Sequence, residues 1–225
     1  MTETTNPQTA PPRAAKPLAI GILGAGNIGR PLGRHWVAAG HRVTFGSRDP
    51  GRLVPFVEPL GDRARAATYA EAVEASDVVL LSVPHPALDE LLDRLAPRLA
   101  GKTVIDATSP IGVSEDGLFV SLLGPGTTRG SRTAERLPDA SVARAFTHFP
   151  DELLWSRGTQ QRHFWGMGIA SDDPGAREVT QGLVHDAGFV PVHLGGLKES
   201  AALDPGGVLF GYVSTPAGLR AAAAL

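Results

Sequence analysis

The chain contains no cysteine. That absence excludes disulfides, thiolate nucleophiles and cysteine-based metal sites, and it fits a cytoplasmic setting. No apolar stretch approaches the roughly 18–20 residues that a bilayer-spanning helix needs, so no membrane partner is expected. Lysine occurs only at positions 16, 102 and 198, no Lys/Arg-rich run is present, and the formal net charge is −2. Nothing therefore marks a nucleic-acid or anionic-membrane surface. Phe149, Trp155, Phe164 and Trp165 accordingly read as core or pocket wall rather than as a platform for stacking bases. The 7 histidines are scattered. None stands in H-E-x-x-H or beside a carboxylate cluster, so no metal site is expected. No G-x-S-x-G elbow occurs, which argues against an α/β hydrolase.

What the chain has in quantity is glycine, 27 residues of it, and one group of glycines stands in a defined context. Gly24-Ala25-Gly26-Asn27-Ile28-Gly29 follows the apolar run Leu18–Leu23, which reads as a buried parallel strand. Ile28, Leu32 and Trp36 then recur at helical spacing up to Gly40, where a helix would stop. Arg42–Phe45 reads as a second strand ending at Ser47-Arg48. This is the strand–turn–helix–strand setting of a dinucleotide fingerprint: Gly24 for the tight turn, Gly26 for backbone approach to phosphate, Gly29 for helix–strand packing. Asn27 and Ile28 open the helix whose N-terminus faces the pyrophosphate. An NAD-binding protein ordinarily carries an acid after the second strand. Here Ser47 and Arg48, with Arg52 one turn on, offer a hydroxyl and two cations, which suit a 2′-phosphate and predict NADP(H).

The remainder alternates. Strands are expected at Arg63–Ala67, Asp77–Val83, Lys102–Asp106, Ser141–Phe146, His163–Ala170 and Phe189–Leu194. Helices are expected at Tyr69–Ala75, around Leu88–Leu95, at Thr133–Leu137 and at Pro174–Ala187, the last capped by Asp173. Such a rhythm predicts an α/β, Rossmann-type, doubly wound and mostly parallel sheet with helices on both faces. Residues 1–17 read as a disordered tail ahead of one domain over 18–225. Residues 109–130 read as a long loop at the carboxyl edge of the sheet, in position for a lid or pocket wall.

An ordered series of segments resembles the F420-dependent NADP oxidoreductases, a family of small NADP-binding reductases of a deazaflavin coenzyme. It comprises Gly21–Gly29, Val43–Arg48, Asp77–Pro84, Val104–Pro110, Ala143–Phe146, Ala187–Val192 and Leu203–Pro205. The resemblance implies a hydride passing between NADP(H) and coenzyme F420, or a similar acceptor, held face to face. It also implies Ser82, Val83 and Pro84 at the cofactor, an acceptor pocket at Ser109, Pro110, Thr147 and His148, and a homodimer. Ser109-Pro110 replaces the family's usual Asn-Pro, and Thr147-His148 stands where an Asn commonly follows the Phe. Ring-to-ring transfer relies on positioning rather than on an acid–base pair. His148 is the one candidate proton donor, and His85 is expected near the nicotinamide ribose. The alternatives are an imine-type or small-molecule reductase and a non-catalytic NADPH sensor.

Overall fold

The apolar runs become strands because each is covered on both faces. In the computed structural model, which describes residues 16–124, 126–156 and 163–225, every residue of β1 (Ala19–Leu23) is buried. The chain continues through α1 (Gly29–Ala38), β2 (Arg42–Gly46), the single turn α2 (Val54–Val57), β3 (Ala64–Ala67), α3 (Tyr69–Glu74), β4 (Val78–Leu81), α4 (His85–Leu99) and β5 (Thr103–Asp106). Then come β6 (Ile111–Val113), β7 (Phe119–Ser121), α5 (Arg129–Arg136), β8 (Ser141–Arg144) and α6 (Asp151–Ser156). The last elements are β9 (Gly166–Ala170), α7 (Pro174–Asp186), β10 (Val190–Gly195) and α8 (Pro216–Ala222).

Eight strands of the described residues form one sheet in the order β10-β9-β8-β5-β4-β1-β2-β3. Pairing is parallel from β3 to β8; β9 runs antiparallel to β8 and parallel to β10. The order reverses between β1 and β4, so the connections leaving these strands diverge and open a crevice at their carboxyl ends. This is the expected doubly wound architecture.

One core lies under α1 and α7, built on Ile22, Leu32, Trp36, Phe45, Leu183 and Phe189. The Trp36 indole N–H donates to the Leu183 carbonyl at 2.9 Å, which fixes α1 against α7 without leaving a buried donor unpaired. The opposite core lies under α3 and α4, where Leu88, Leu91, Leu92, Leu95 and Leu99 line the inner face of α4. Local signals end the elements as read. Gly40 takes φ +100° just beyond α1, Thr68 and Glu71 form a reciprocal capping box on α3, and Asp173 accepts from the Ala176 amide to cap α7.

Three expectations need correction. Residues 109–130 are not one loop: β6 and β7 pair as an antiparallel hairpin turning at Ser114–Gly117. The strands are short enough to hide among the flanking Gly, Pro and Ser. The helix expected over Thr133–Leu137 begins earlier, at Arg129, because Thr128 caps it by accepting from the Ser131 amide. The strand expected from His163 begins at Gly166. The tail expected over residues 1–17 lies outside the described residues except for Lys16 and Pro17.

Candidate functional site

The glycine loop joins β1 to α1 at the reversal point, and each glycine answers a different constraint. Gly24 takes φ +107°, and a Cβ there would stand 2.6 Å from the Ser82 carbonyl oxygen. A Cβ on Gly29 would stand 2.3 Å from the Gly24 oxygen. Both glycines are therefore demanded by the fold itself. Gly26 differs, since a Cβ there would meet no protein atom within 4 Å. No protein contact requires that glycine, and its backbone stands bare. Behind it, α1 starts with no side-chain cap and no acid in its first turn, so its dipole and amides are free to face an anion. Ser82 braces the loop, its hydroxyl donating to the Gly24 carbonyl at 2.8 Å.

Two cavities meet at Val83 and Pro84, which line both. The first, of about 630 Å³, is walled by Ser47 and Arg48 on one side, Thr68 and Tyr69 on another, and α4. Arg48 is exposed and forms no ion pair among the described residues. Arg52 is not in this wall. Its side chain is 86% exposed and sits 3.3 Å from the Asp49 carboxylate, so the structure does not bring it to Ser47 and Arg48. Asp49, the residue between them, takes up the second cation.

The second cavity, of about 400 Å³, takes in Gly26, Asn27, Ile28 and Ser82 from the glycine-loop side, and Ser109 and Thr147 from the opposite side. His85, Thr108, Ile111, Leu122 and Phe146 are also part of its wall. The hairpin thus supplies pocket wall at Ile111, and Leu122 adds to it just past β7. Pro110 stands behind the wall, buried, with its carbonyl accepting from the Leu122 amide at 2.7 Å to close the base of the hairpin.

His148 is not where the sequence reading placed it. It is 1% exposed, its Nε2 accepts from the Gly168 amide at 3.0 Å, and burial pushes its pKa down to about 4. A ring that is neutral, turned into the sheet and already accepting at Nε2 does not donate a proton to a substrate. The cause lies two residues earlier. Phe146 holds φ +63°, a left-handed conformation that costs a non-glycine residue of the order of 1 kcal/mol. At this bend Thr147 lines the cavity while His148 is packed into the core. Such strain, held by a fully buried ring in edge contact with Trp36, is typical of functional sites.

Behind the acceptor wall lies a buried polar cluster that the sequence reading missed. Asp106, Arg129 and Arg144 are each 0% exposed and Asp204 is 5% exposed. Asp106 Oδ1 accepts from the Thr108 amide and hydroxyl at 2.8 and 2.7 Å, and Oδ2 accepts from Arg129 Nε at 3.3 Å. Arg144 donates to the Asp106 and Thr108 carbonyls, both at 2.8 Å, and to Asp204 at 2.7 Å. Two carboxylates thus balance two guanidiniums. Together they clamp the Thr108-Ser109 backbone that lines the second cavity. One signal was available: an arginine inside the apolar stretch Val142–Phe146 must find a partner when that strand is buried.

Residues 19–110 match the family model described as NADP oxidoreductase, coenzyme F420-dependent. F420-dependent NADP reductase of Methanothermobacter marburgensis is 31% identical over 149 residues, covering 61% of this chain and 66% of that protein. Metalloreductase STEAP3 of Rattus norvegicus is 26% identical over 188 residues, covering 82% of this chain and 35% of that protein. The chain therefore spans about a third of the metalloreductase and just under two thirds of the reductase. A candidate F420-dependent NADP reductase from an Arthrobacter species superimposes with a TM-score of 0.69 at 22% identity, over 81% of this chain and 87% of that one, and supports the fold.

Proposed function

We propose that the chain, similar over residues 19–110 to the F420-dependent NADP oxidoreductases, passes hydride between NADP(H) and the deazaflavin coenzyme F420. The observation that carries this reading is the pair of cavities joined at Val83-Pro84. One holds an unpaired arginine and a serine hydroxyl, and the other is walled by apolar side chains and hydroxyls. When bound, NADPH supplies a hydride from its nicotinamide ring.

The residues of the chain bind and orient. Gly26 and the uncapped start of α1 receive the pyrophosphate, and Ser47 with Arg48 receives the 2′-phosphate. Ile111 and Leu122, both exposed, offer apolar surface on which a ring can lie, while Ser109 and Thr147 offer hydroxyls to its polar edge. Holding two rings at contact distance contributes most of what a direct transfer requires. A protein that only sensed NADPH would need the first cavity and the Gly26–Ile28 edge of the second, and the far wall at Ser109, Ile111 and Leu122 favours an acceptor.

The test is spectroscopic. Purified protein with NADPH should bleach the deazaflavin absorbance of oxidised F420. Intact NADPH binding with no bleaching would overturn the assignment of the acceptor.

A further inference from the structure

His85 is the first residue of α4 and lies in the wall of the second cavity, at the turn where Pro84 delivers the chain to that site. Its two ring nitrogens have different surroundings. Nδ1 is buried and has no hydrogen-bond partner. Nε2 is not buried and has no partner among the described residues, and the residue lines the second cavity. Directly inside stands Arg129, 0% exposed, whose Nη2 is 3.7 Å from the Asp89 carboxylate one turn along α4 and whose Nη1 is also buried without a partner.

We propose that His85 is an acceptor-binding residue: a neutral imidazole whose Nε2–H donates to a carbonyl oxygen or ring-nitrogen lone pair of the bound acceptor. The inference rests on the acceptor cavity assigned above and names the contact made there. Arg129, from α5, disfavours a second proton on the ring, while Asp89 of α4 and Asp106 of β5 favour one but are themselves engaged by arginines, and of the two nitrogens only Nε2 is open to a partner. The lone pair therefore belongs on buried Nδ1 and the proton on Nε2. Burial first, then the Arg129 charge, holds the pKa below the usual histidine value, so the ring stays a neutral donor at neutral pH. No proton leaves the ring. The hydrogen bond orients the acceptor and draws electron density toward the atom it touches as hydride arrives.

Two measurements on the full chain test this. The first is steady-state reduction of oxidised F420 by NADPH in His85→Leu and His85→Gln, the latter keeping an N–H donor at similar reach. His85→Leu should lower kcat/KM for F420 about tenfold, the size of one lost hydrogen bond. His85→Gln should recover most of the loss, and the Kd for NADPH should stay unchanged in both. Unchanged kcat/KM in His85→Leu, or equal losses in the two variants, would overturn the proposal. The second is nitrogen NMR of the His85 ring in the wild-type protein, where protonated Nε2 and bare Nδ1 are expected at neutral pH. The opposite tautomer would overturn the proposal. Should the wild-type protein fail to reduce F420, the reading of the acceptor fails, and the NMR result alone decides the state of His85.

Discussion

Asp106→Ala is expected to destabilise the protein by about 3–5 kcal/mol, the cost of removing one partner from a buried ion pair. The size follows from what is left behind. Arg129 and Arg144 remain at 0% exposure, Arg129 loses its link to β5, and the Thr108 amide and hydroxyl lose the acceptor that holds them at 2.8 and 2.7 Å. Folded domains are stable by only about 5–15 kcal/mol, so this one carboxylate governs a large share of the total. Asp106→Asn tests the charge separately from the volume, because it keeps an acceptor for Thr108 but leaves Arg129 only the half-exposed Asp89 and Arg144 only Asp204. Urea unfolding of both variants checks the expectation, and a loss below about 1 kcal/mol, the range of exposed ion pairs, would contradict it. The cluster also ties positions 106, 129, 144 and 204 into one unit, so even mild variants should weaken acceptor binding through the Thr108-Ser109 backbone.

Arg48→Ala is expected to weaken NADPH by about 1.5–3 kcal/mol, the value of one hydrogen bond to a charged group. In Kd that is roughly 10- to 150-fold. NADH, which lacks the 2′-phosphate, should be almost unaffected. Arg52→Ala is the informative control. Its guanidinium is 86% exposed and engaged by Asp49, so it should change NADPH affinity far less than Arg48→Ala does. Calorimetric titration of both nucleotides into the three proteins decides the point. Equal weakening of NADPH and NADH in Arg48→Ala would remove the phosphate assignment.

The cofactor half of the site was legible in the sequence because its determinants are local. The Leu18–Leu23 run, the three glycines and the Ser47-Arg48 dipeptide each act within a few residues of where they are written. Even there, Asp49 could not be seen drawing Arg52 away, since that depends on how the short turn after β2 closes. The acceptor half was less legible because contacts distant in sequence build it. Arg129 finds Asp106 across 23 positions and Arg144 finds Asp204 across 60. His148 was misplaced for a subtler reason. Continuing from β8, alternation alone does not reveal that Phe146 adopts a positive φ, and that bend decides which of Thr147 and His148 meets the cavity. His85 was expected near the nicotinamide ribose, and only the fold shows it heading α4 in the wall of the second cavity with one nitrogen buried.

The central claim is a direct hydride transfer between two rings held in adjoining cavities. It is tested most directly by giving the protein NADPH deuterated at the transferable position of the nicotinamide, together with oxidised F420 in ordinary water. Mass spectrometry of the reduced deazaflavin should find the deuterium in the product, one atom per molecule reduced. Reduced product carrying only hydrogen from solvent would contradict the account, as would oxidation of NADPH with the deazaflavin left untouched.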